Sequence, residues 1–78
     1  PIRIQILYYL NDHKESSVNN LVKQFDVSQP AISRHLRILE EARLVKSKRV
    51  KQEKYYQLFD NHIIKILDVL RQHANGEF

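Results

Sequence analysis

Apolar residues recur at helical spacing along most of the chain and alternate with polar residues only beyond its middle. The first pattern predicts a helix over residues 1–10, with proline at the permitted first turn, and then a polar loop over residues 11–17. Ser17 is the predicted N-cap of a short second helix that ends at Phe25. Residues 26 and 27 are expected to form a tight turn after it.

The third predicted helix runs from Gln29 to about Arg43, with Ser28 as its N-cap. One face carries the residues expected to be buried, which are Ile32, His35, Leu36 and Leu39. The opposite face is polar and mostly basic, and it consists of Gln29, Pro30, Ser33, Arg34, Arg37 and Glu41. Two helices joined by a short turn, the second with such a face, are typical of a helix-turn-helix, whose second helix enters the major groove of DNA.

Two stretches with the alternation of β-strands follow, over residues 44–50 and 54–59. They are separated by Lys51, Gln52 and Glu53, a polar tip without glycine. A basic hairpin directly after a recognition helix is a wing. We expect this wing to place Lys48, Arg49 and Lys51 against DNA phosphates.

The last predicted helix is capped by Asp60 or Asn61, ends near Ala74 and is apolar on nearly all sides. One side can cover the domain's own core, and the rest needs another molecule. We therefore expect a homodimer formed through this helix, together with any segment that precedes residue 1. The predicted fold class is mainly α with a small β-hairpin: a winged helix-turn-helix, with residues 1–78 as a single domain that lacks an N-terminal segment.

Composition restricts the classes of function open to the chain. It has 78 residues, 42% of them hydrophobic, and one glycine, as expected of a small folded domain. The absence of cysteine excludes thiolate metal sites and a cysteine nucleophile, and it is compatible with a reducing cytosol. No apolar run reaches the roughly 18 residues of a membrane span, and no signal peptide opens the chain, so we expect a cytoplasmic protein without a membrane partner.

Positive charge is concentrated in the middle of the chain. The formal net charge is +4, and residues 34–54 carry eight Lys and Arg against three Glu. From residue 59 onward the charges nearly cancel, which predicts polyanion binding by the middle segment and packing by the last helix. The sequence has no glycine-rich phosphate loop and no Ser, His and acid set at catalytic spacing, so we expect neither an enzyme nor an organic cofactor.

The segment VNNLVKQFDVSQPAISRHLRILEEARLVKSKRVKQEKYYQL resembles the ArsR family of bacterial winged-helix repressors, and the resemblance extends over residues 2–75. Its most specific parts are the run from Ser28 to Leu36, the spacing of Leu36, Leu39, Ala42 and Leu44, and Tyr55-Tyr56 with Leu58. The resemblance implies a dimer that occludes an operator in double-stranded DNA and is released by an inducer. By position it assigns DNA contact to Gln29, Ser33 and Arg34, with Ser28 at the helix start, and Arg37 lies on the same outward face. Pro30 and the wing tip without glycine depart from the family pattern.

Two metal sites of the family can be compared with this chain. The paired cysteines that bind thiophilic metals are absent from residues 17–21, which read SVNNL, and this excludes an arsenite, cadmium or lead sensor of that type. Asp60, His62 and His73 match a second family site, which usually binds zinc between the last helices of two subunits. The family's fourth ligand position is Gly76 in this chain, where Glu77 or water could substitute.

Helix geometry indicates that such a site would be shared between two chains. His62 and His73 are about 16 Å and three turns apart, so they share a face but cannot bind one ion. An antiparallel copy would bring His62 beside His73 of the partner subunit, with two equivalent zinc sites per dimer. Asp60 is equally suited to be an N-cap, with both histidines as ordinary polar residues of a dimer helix.

Three functions remain open from the sequence. The first is a DNA-binding repressor released by zinc or another divalent metal ion bound at the last helix. The second is a repressor with a non-metal inducer. The third is a winged helix used only for protein–protein interaction, and the outward basic residues of the third helix argue against it.

Overall fold

The computed structural model describes residues 2–74 and contains four helices and three strands within them. In chain order these are α1 (Ile2–His13), β1 (Glu15–Ser17), α2 (Val18–Phe25), α3 (Gln29–Glu41), β2 (Val45–Val50), β3 (Glu53–Leu58) and α4 (Asn61–Ala74). Pro1, the predicted first-turn proline, lies outside the described residues. The predicted winged helix-turn-helix is confirmed, since α2 and α3 are joined by a short turn and the β2–β3 hairpin follows α3 directly.

One hydrophobic core joins all four helices to the sheet. Its completely buried side chains are Ile6, Leu10, Leu21, Ile32, Leu36, Val45 and Leu67. The predicted inward face of α3 is confirmed for Ile32, Leu36 and Leu39, whereas His35 is only half-buried. Burial of each of these large side chains stabilises the folded chain by about 1.5–3 kcal/mol. The apolar faces of the helices are therefore held in the core, and the opposite faces stay exposed.

The three strands form an antiparallel sheet in the order β1-β3-β2. The predicted loop over residues 11–17 is wrong, because α1 continues to His13 and residues 15–17 form the edge strand β1. Ser16 is buried opposite Tyr56 of β3, and its hydroxyl oxygen accepts a hydrogen bond from Asn20 Nδ2 at 2.9 Å. A strand of three residues has no periodic pattern of its own and is stabilised by this pairing.

Both predicted serine caps are confirmed. Ser17 Oγ accepts a hydrogen bond from the Asn20 backbone N–H at 3.1 Å, and Ser28 Oγ accepts one from Ala31 N–H at 3.3 Å. These bonds satisfy N–H groups that the first turn of a helix leaves unpaired. They fix where α2 and α3 begin, and so they set the short turn between the two helices.

Two further differences from the predicted boundaries coincide with a residue at positive φ. α3 ends at Glu41 rather than near Arg43, which has a φ of 61° and turns the chain toward the sheet. The hairpin turn is shorter than predicted, because Glu53 pairs with Val50 and leaves only two residues at the tip. Lys51 has a φ of 58° there, a conformation that glycine usually supplies.

Helix α4 packs on the body of the domain through Ile63 and Leu67. Arg71 extends from α4 to α1, where its Nη2 donates to both carboxylate oxygens of Asp12 at 3.1 and 3.2 Å. The same guanidinium lies over the Tyr8 ring, 4.4 Å from its centroid. These contacts hold α4 beside α1. None of the helices within residues 2–74 combines the length and apolarity needed to cross a membrane.

Candidate nucleic-acid interface

An open groove of about 680 Å³ runs between α3 and the β2–β3 hairpin. Its helix side is lined by the predicted contact residues Gln29, Ser33, Arg34 and Arg37 together with Pro30 and Glu40. Its sheet side is lined by Arg49, Gln52, Glu53, Lys54 and Tyr56. The groove exists because one face of the hairpin packs against the C-terminal half of α3, where Ser47 Oγ donates to Glu40 Oε2 at 2.8 Å.

The outward face of α3 is accessible along its length. Gln29, Arg34 and Arg37 are exposed, and Ser33 is half-buried. Gln29 Nε2 donates to Ser33 Oγ at 3.1 Å, so these two polar side chains are already oriented relative to each other. Neither the domain core nor the hairpin covers this surface, which leaves two guanidinium groups and an amide facing solvent from one rigid helix.

Ser28 lies at the start of this face and has a structural role. Its Oγ accepts the capping hydrogen bond from Ala31 N–H, whereas its hydroxyl hydrogen is not used in that bond. A hydroxyl group can accept from the helix and donate outward at the same time. Ser28 therefore caps α3 and presents one donor beside the N-terminus of the helix.

The hairpin separates the three basic residues that the sequence assigned to the wing. Arg49 pairs with Lys54 across the hairpin and lies on the same sheet face as buried Val45, so both basic side chains line the α3 groove. Lys48 lies on the other face, where its Nζ is 3.1 Å from Glu15 Oε1 of β1. Lys51 is exposed at the tip and does not line the groove.

The groove includes residues that the sequence analysis did not assign to it. Lys54 Nζ lies 5.5 Å from the centroid of the Tyr56 ring, a distance at which a cation and an aromatic ring attract. Its position could have been read from strand alternation, because Lys54 and Tyr56 are two residues apart. Asn19, at the start of α2, had no such signal and reaches the groove only through the packing of α2 on α3.

His35 links α3 to α1 beside the groove. Its Nδ1 accepts a hydrogen bond from Arg3 Nε at 3.3 Å, which requires an uncharged imidazole. Burial lowers the pKa of His35, and the positive charges of Arg3 and Arg34 lower it further. The positive charge at neutral pH is thus carried by the arginines and lysines rather than by this histidine.

The candidate metal ligands lie at the two ends of α4. Asp60 Oδ1 is 3.5 Å from His62 Nδ1 and also accepts from the His62 backbone N–H at 2.9 Å, so the predicted N-cap is confirmed. His73 is exposed on the same helical face, about 16 Å along the axis. Among residues 2–74, no group of three or more His, Cys, Asp or Glu side chains is arranged to bind a metal ion. Gly76 and Glu77, the positions considered for a fourth ligand, lie outside the described residues.

This donor set fits zinc only in part. Imidazole nitrogen and carboxylate oxygen are suitable zinc ligands, but a structural site requires four of them in a tetrahedron. Asp60 and His62 supply two donors near one point, and the next histidine is too distant in the same chain. Residues 2–74 of one chain therefore do not supply a complete site, and an antiparallel second copy would add donors to it.

The chain is similar to known regulatory proteins over nearly its whole length. A family profile described as bacterial regulatory protein, arsR family, matches residues 1–47. The HTH-type transcriptional repressor SmtB of Mycobacterium tuberculosis is 37% identical over 77 residues, which cover 99% of this chain and 56% of that repressor. An HTH-type transcriptional regulator of Methanocaldococcus jannaschii is 39% identical over 77 residues, with 86% of this chain and 80% of the relative covered. The chain thus spans about half the length of the SmtB repressor that it matches.

A solved structure has the same fold. HlyU from Vibrio cholerae superposes with a TM-score of 0.83 at 32% identity, over 92% of this chain and 78% of the other. The family resemblance seen in the sequence is confirmed by these matches. Because the matched proteins are transcriptional regulators, the chain is not an enzyme. The helix-turn-helix with its adjoining hairpin and the match over residues 1–47 together show that this chain belongs to the arsR family of bacterial regulatory proteins.

Proposed function

We propose that the chain is the DNA-binding domain of a cytoplasmic transcriptional repressor that binds double-stranded operator DNA as a homodimer. The observation that carries the proposal is the exposed polar face of α3, which presents Arg34 and Arg37 to an open groove flanked by Arg49 and Lys54. A polyanion that can accommodate an α-helix in a groove of its surface is the ligand expected for such a basic face.

The dimensions of α3 suit the major groove of DNA. With 13 residues the helix is about 20 Å long, and a B-DNA major groove about 12 Å wide admits one α-helix. We propose that Gln29, Ser33 and Arg34 read base edges from the N-terminal half of α3. Arg37 and the Ser28 hydroxyl then contact phosphates at the rim, and Arg49 and Lys54 contact the adjacent backbone.

The outward side of α4 supports the proposed homodimer. Ile66, Val69 and Leu70 are 54%, 57% and 41% exposed, although Ile63 and Leu67 on the same helix are buried. An apolar stripe of this kind on a small domain marks a contact with another molecule. Packing α4 against a two-fold copy of itself would cover the stripe and present two α3 helices to the same side of the DNA.

The salt dependence of DNA binding tests the proposed function. A dimer that neutralises about six phosphates should lose affinity along a straight line on a log–log plot, with a slope of about −5 in salt concentration. The measurement is fluorescence anisotropy of a labelled duplex at several KCl concentrations. A flat response would refute the DNA-binding proposal and favour a module that binds only other proteins.

Lys48 and Arg49 form a matched pair for testing the wing. We expect Arg49→Ala to make the salt slope of the dimer less steep by about 2, because one phosphate contact is lost in each of the two subunits. Lys48→Ala should leave the slope unchanged, since Lys48 lies on the other sheet face and pairs with Glu15. The same anisotropy titrations measure both variants. If the two substitutions change the salt slope equally, the hairpin face that lines the groove is not the face that contacts DNA.

We propose that zinc is the effector that releases the repressor from DNA. The proposal is based on three side chains at the two ends of the exposed α4 face: Asp60 and His62 lie at one end, and His73 lies at the other. In an antiparallel dimer, His62 would lie beside His73 of the partner subunit. We expect His62→Ala and His73→Ala each to abolish zinc binding measured by calorimetry and to remove the effect of zinc on DNA affinity. His13→Ala, which removes a histidine from α1, is the control. If zinc does not change the DNA affinity of the unmodified protein, another inducer acts on this repressor.

A further inference from the structure

A second cleft, of about 330 Å³, opens away from the α3 groove, where the end of α1, the outer face of the sheet and the start of α4 meet. Its apolar lining comes from Leu10, Leu58, Phe59 and Ile64. Its polar lining consists of two ammonium groups, those of Lys14 and Lys46, one carboxylate, that of Asp60, and three side-chain amides, those of Asn11, Gln57 and Asn61. The cleft has the volume of a small-molecule site, and its lining combines apolar side chains with charged and amide groups.

The acidic residues around this cleft are already engaged with other partners. Asp12 binds Arg71 of α4 with both carboxylate oxygens, and Glu15 binds Lys48 at 3.1 Å. Asp60 accepts two backbone N–H groups at the start of α4. Over the part of the chain that the structure describes, Lys14 and Lys46 therefore have no ion-pair partner, although both line the cleft.

The sheet register places the two lysines on either side of Gln57. Glu15, Gln57 and Lys46 occupy one row across the three strands, and Lys14 directly precedes Glu15. Adjacent strands are about 4.8 Å apart, so Lys46 is about 10 Å across the sheet from the β1 end of the row. Both long side chains line the cleft that contains Gln57.

We infer that this cleft binds a small organic anion: a carboxylate attached to a ring or a branched aliphatic body. The carboxylate would accept charge-assisted hydrogen bonds from Lys14 and Lys46, and the apolar body would cover Leu10, Phe59 and Ile64. Neither an inorganic anion nor an uncharged apolar molecule satisfies both parts of the lining. Purely ionic ligands leave the apolar surface exposed, and uncharged ligands leave the two ammonium groups without a counter-charge.

The cleft lies between the wing, which we propose contacts DNA, and α4, which we propose forms the dimer. Lys46 and Gln57 belong to the strands of the wing, and Asn61 and Ile64 belong to the helix with the exposed apolar stripe. A ligand that contacts both would bias the angle between α4 and the hairpin and so change DNA affinity. This regulatory role rests on the proposed function, whereas binding of the anion does not.

The test uses 2-naphthoate as the probe and measures its binding without DNA by two-dimensional NMR titration. We expect shifts at residues 10–14, 57–61 and 64, and a dissociation constant raised about tenfold or more in a Lys14→Asn, Lys46→Gln variant. Asparagine is chosen at position 14 because Lys14 has a φ of 72°, which asparagine tolerates. The control variant is Lys23→Asn, Lys65→Gln, which removes two exposed lysines outside the cleft.

Two further ligands separate the contributions of charge and apolar surface. 2-Naphthalenemethanol and inorganic phosphate should each bind at least about tenfold more weakly than 2-naphthoate, because each satisfies only one part of the lining. The inference would be overturned if the alcohol or the phosphate bound as tightly as 2-naphthoate. It would also be overturned if the cleft variant bound 2-naphthoate as tightly as the unmodified protein, or if the shifts were confined to residues 66–70. If 2-naphthoate binds in the cleft but leaves DNA affinity unchanged, the anion site stands and its role as an effector site is wrong.

Discussion

Arg34→Ala is expected to weaken operator binding by about 1–3 kcal/mol and to relax the preference for one base pair. Arg34 is exposed on the N-terminal half of α3 and lines the groove, and a guanidinium group there can donate two parallel hydrogen bonds to the O6 and N7 atoms of guanine. Truncation removes both bonds and is expected to leave the helix intact, because Arg34 is exposed. The measurement is DNA affinity across a set of single-base operator variants.

Lys23→Ala is the matched control, since it removes one exposed positive charge on α2 that does not line the groove. Its effect on affinity should be smaller and the same for every operator variant. Equal weakening of all sequences by Arg34→Ala would make Arg34 a phosphate contact. An Arg34→Ala protein that binds as tightly as the unmodified chain would contradict the assignment of α3 as the reading helix.

Val69→Asp is expected to convert the proposed homodimer to monomers and to lower DNA affinity by about 100-fold or more. Val69 is 57% exposed on the outer side of α4, so a carboxylate there is hydrated in the monomer but desolvated at the centre of an apolar contact between two helices. A monomer has only one reading helix and loses the second half-site. Sedimentation equilibrium measures the oligomeric state, and thermal unfolding checks that the monomer remains folded.

Gln72→Asp adds the same charge to α4 away from the apolar stripe and should leave the dimer intact. If Val69→Asp remains dimeric, α4 is not the interface and its exposed apolar side chains bind something else. If Val69→Asp is monomeric and still binds DNA with full affinity, the proposed link between dimerisation and operator binding is wrong.

Local patterns were sufficient to locate α3, the helix that we propose reads DNA, and its exposed polar face. Ser28 caps α3 through a hydrogen bond to a residue three positions away, and the buried side of the helix follows from the spacing of Ile32, Leu36 and Leu39. Such interactions are formed within one or two helical turns, so they can be recognised without knowledge of the fold. The prediction that Gln29, Arg34 and Arg37 face solvent together is confirmed on the same basis.

Other parts of the interface depend on residues distant in sequence. Strand β1 forms because residues 15–17 pair with β3, about forty residues later, and three polar residues contain no signal of that pairing. Asn19 joins the groove only because α2 packs on α3. Lys48 and Arg49 are equivalent as wing residues in the sequence, whereas the hairpin places them on opposite faces of the sheet, and only Arg49 lines the groove beside α3.

The order of the four helices and the β2–β3 hairpin, the capped start of α3 and its basic outer face all follow from short-range chemistry in the chain, and they were sufficient to indicate the family. The sidedness of the wing, the pairing of β1 and the convergence of Lys14 and Lys46 on one cleft were decided by packing in three dimensions. The physical reason is range: backbone capping and side-chain periodicity act between neighbouring residues, whereas a groove or cleft is formed by surfaces that meet only after the core has closed.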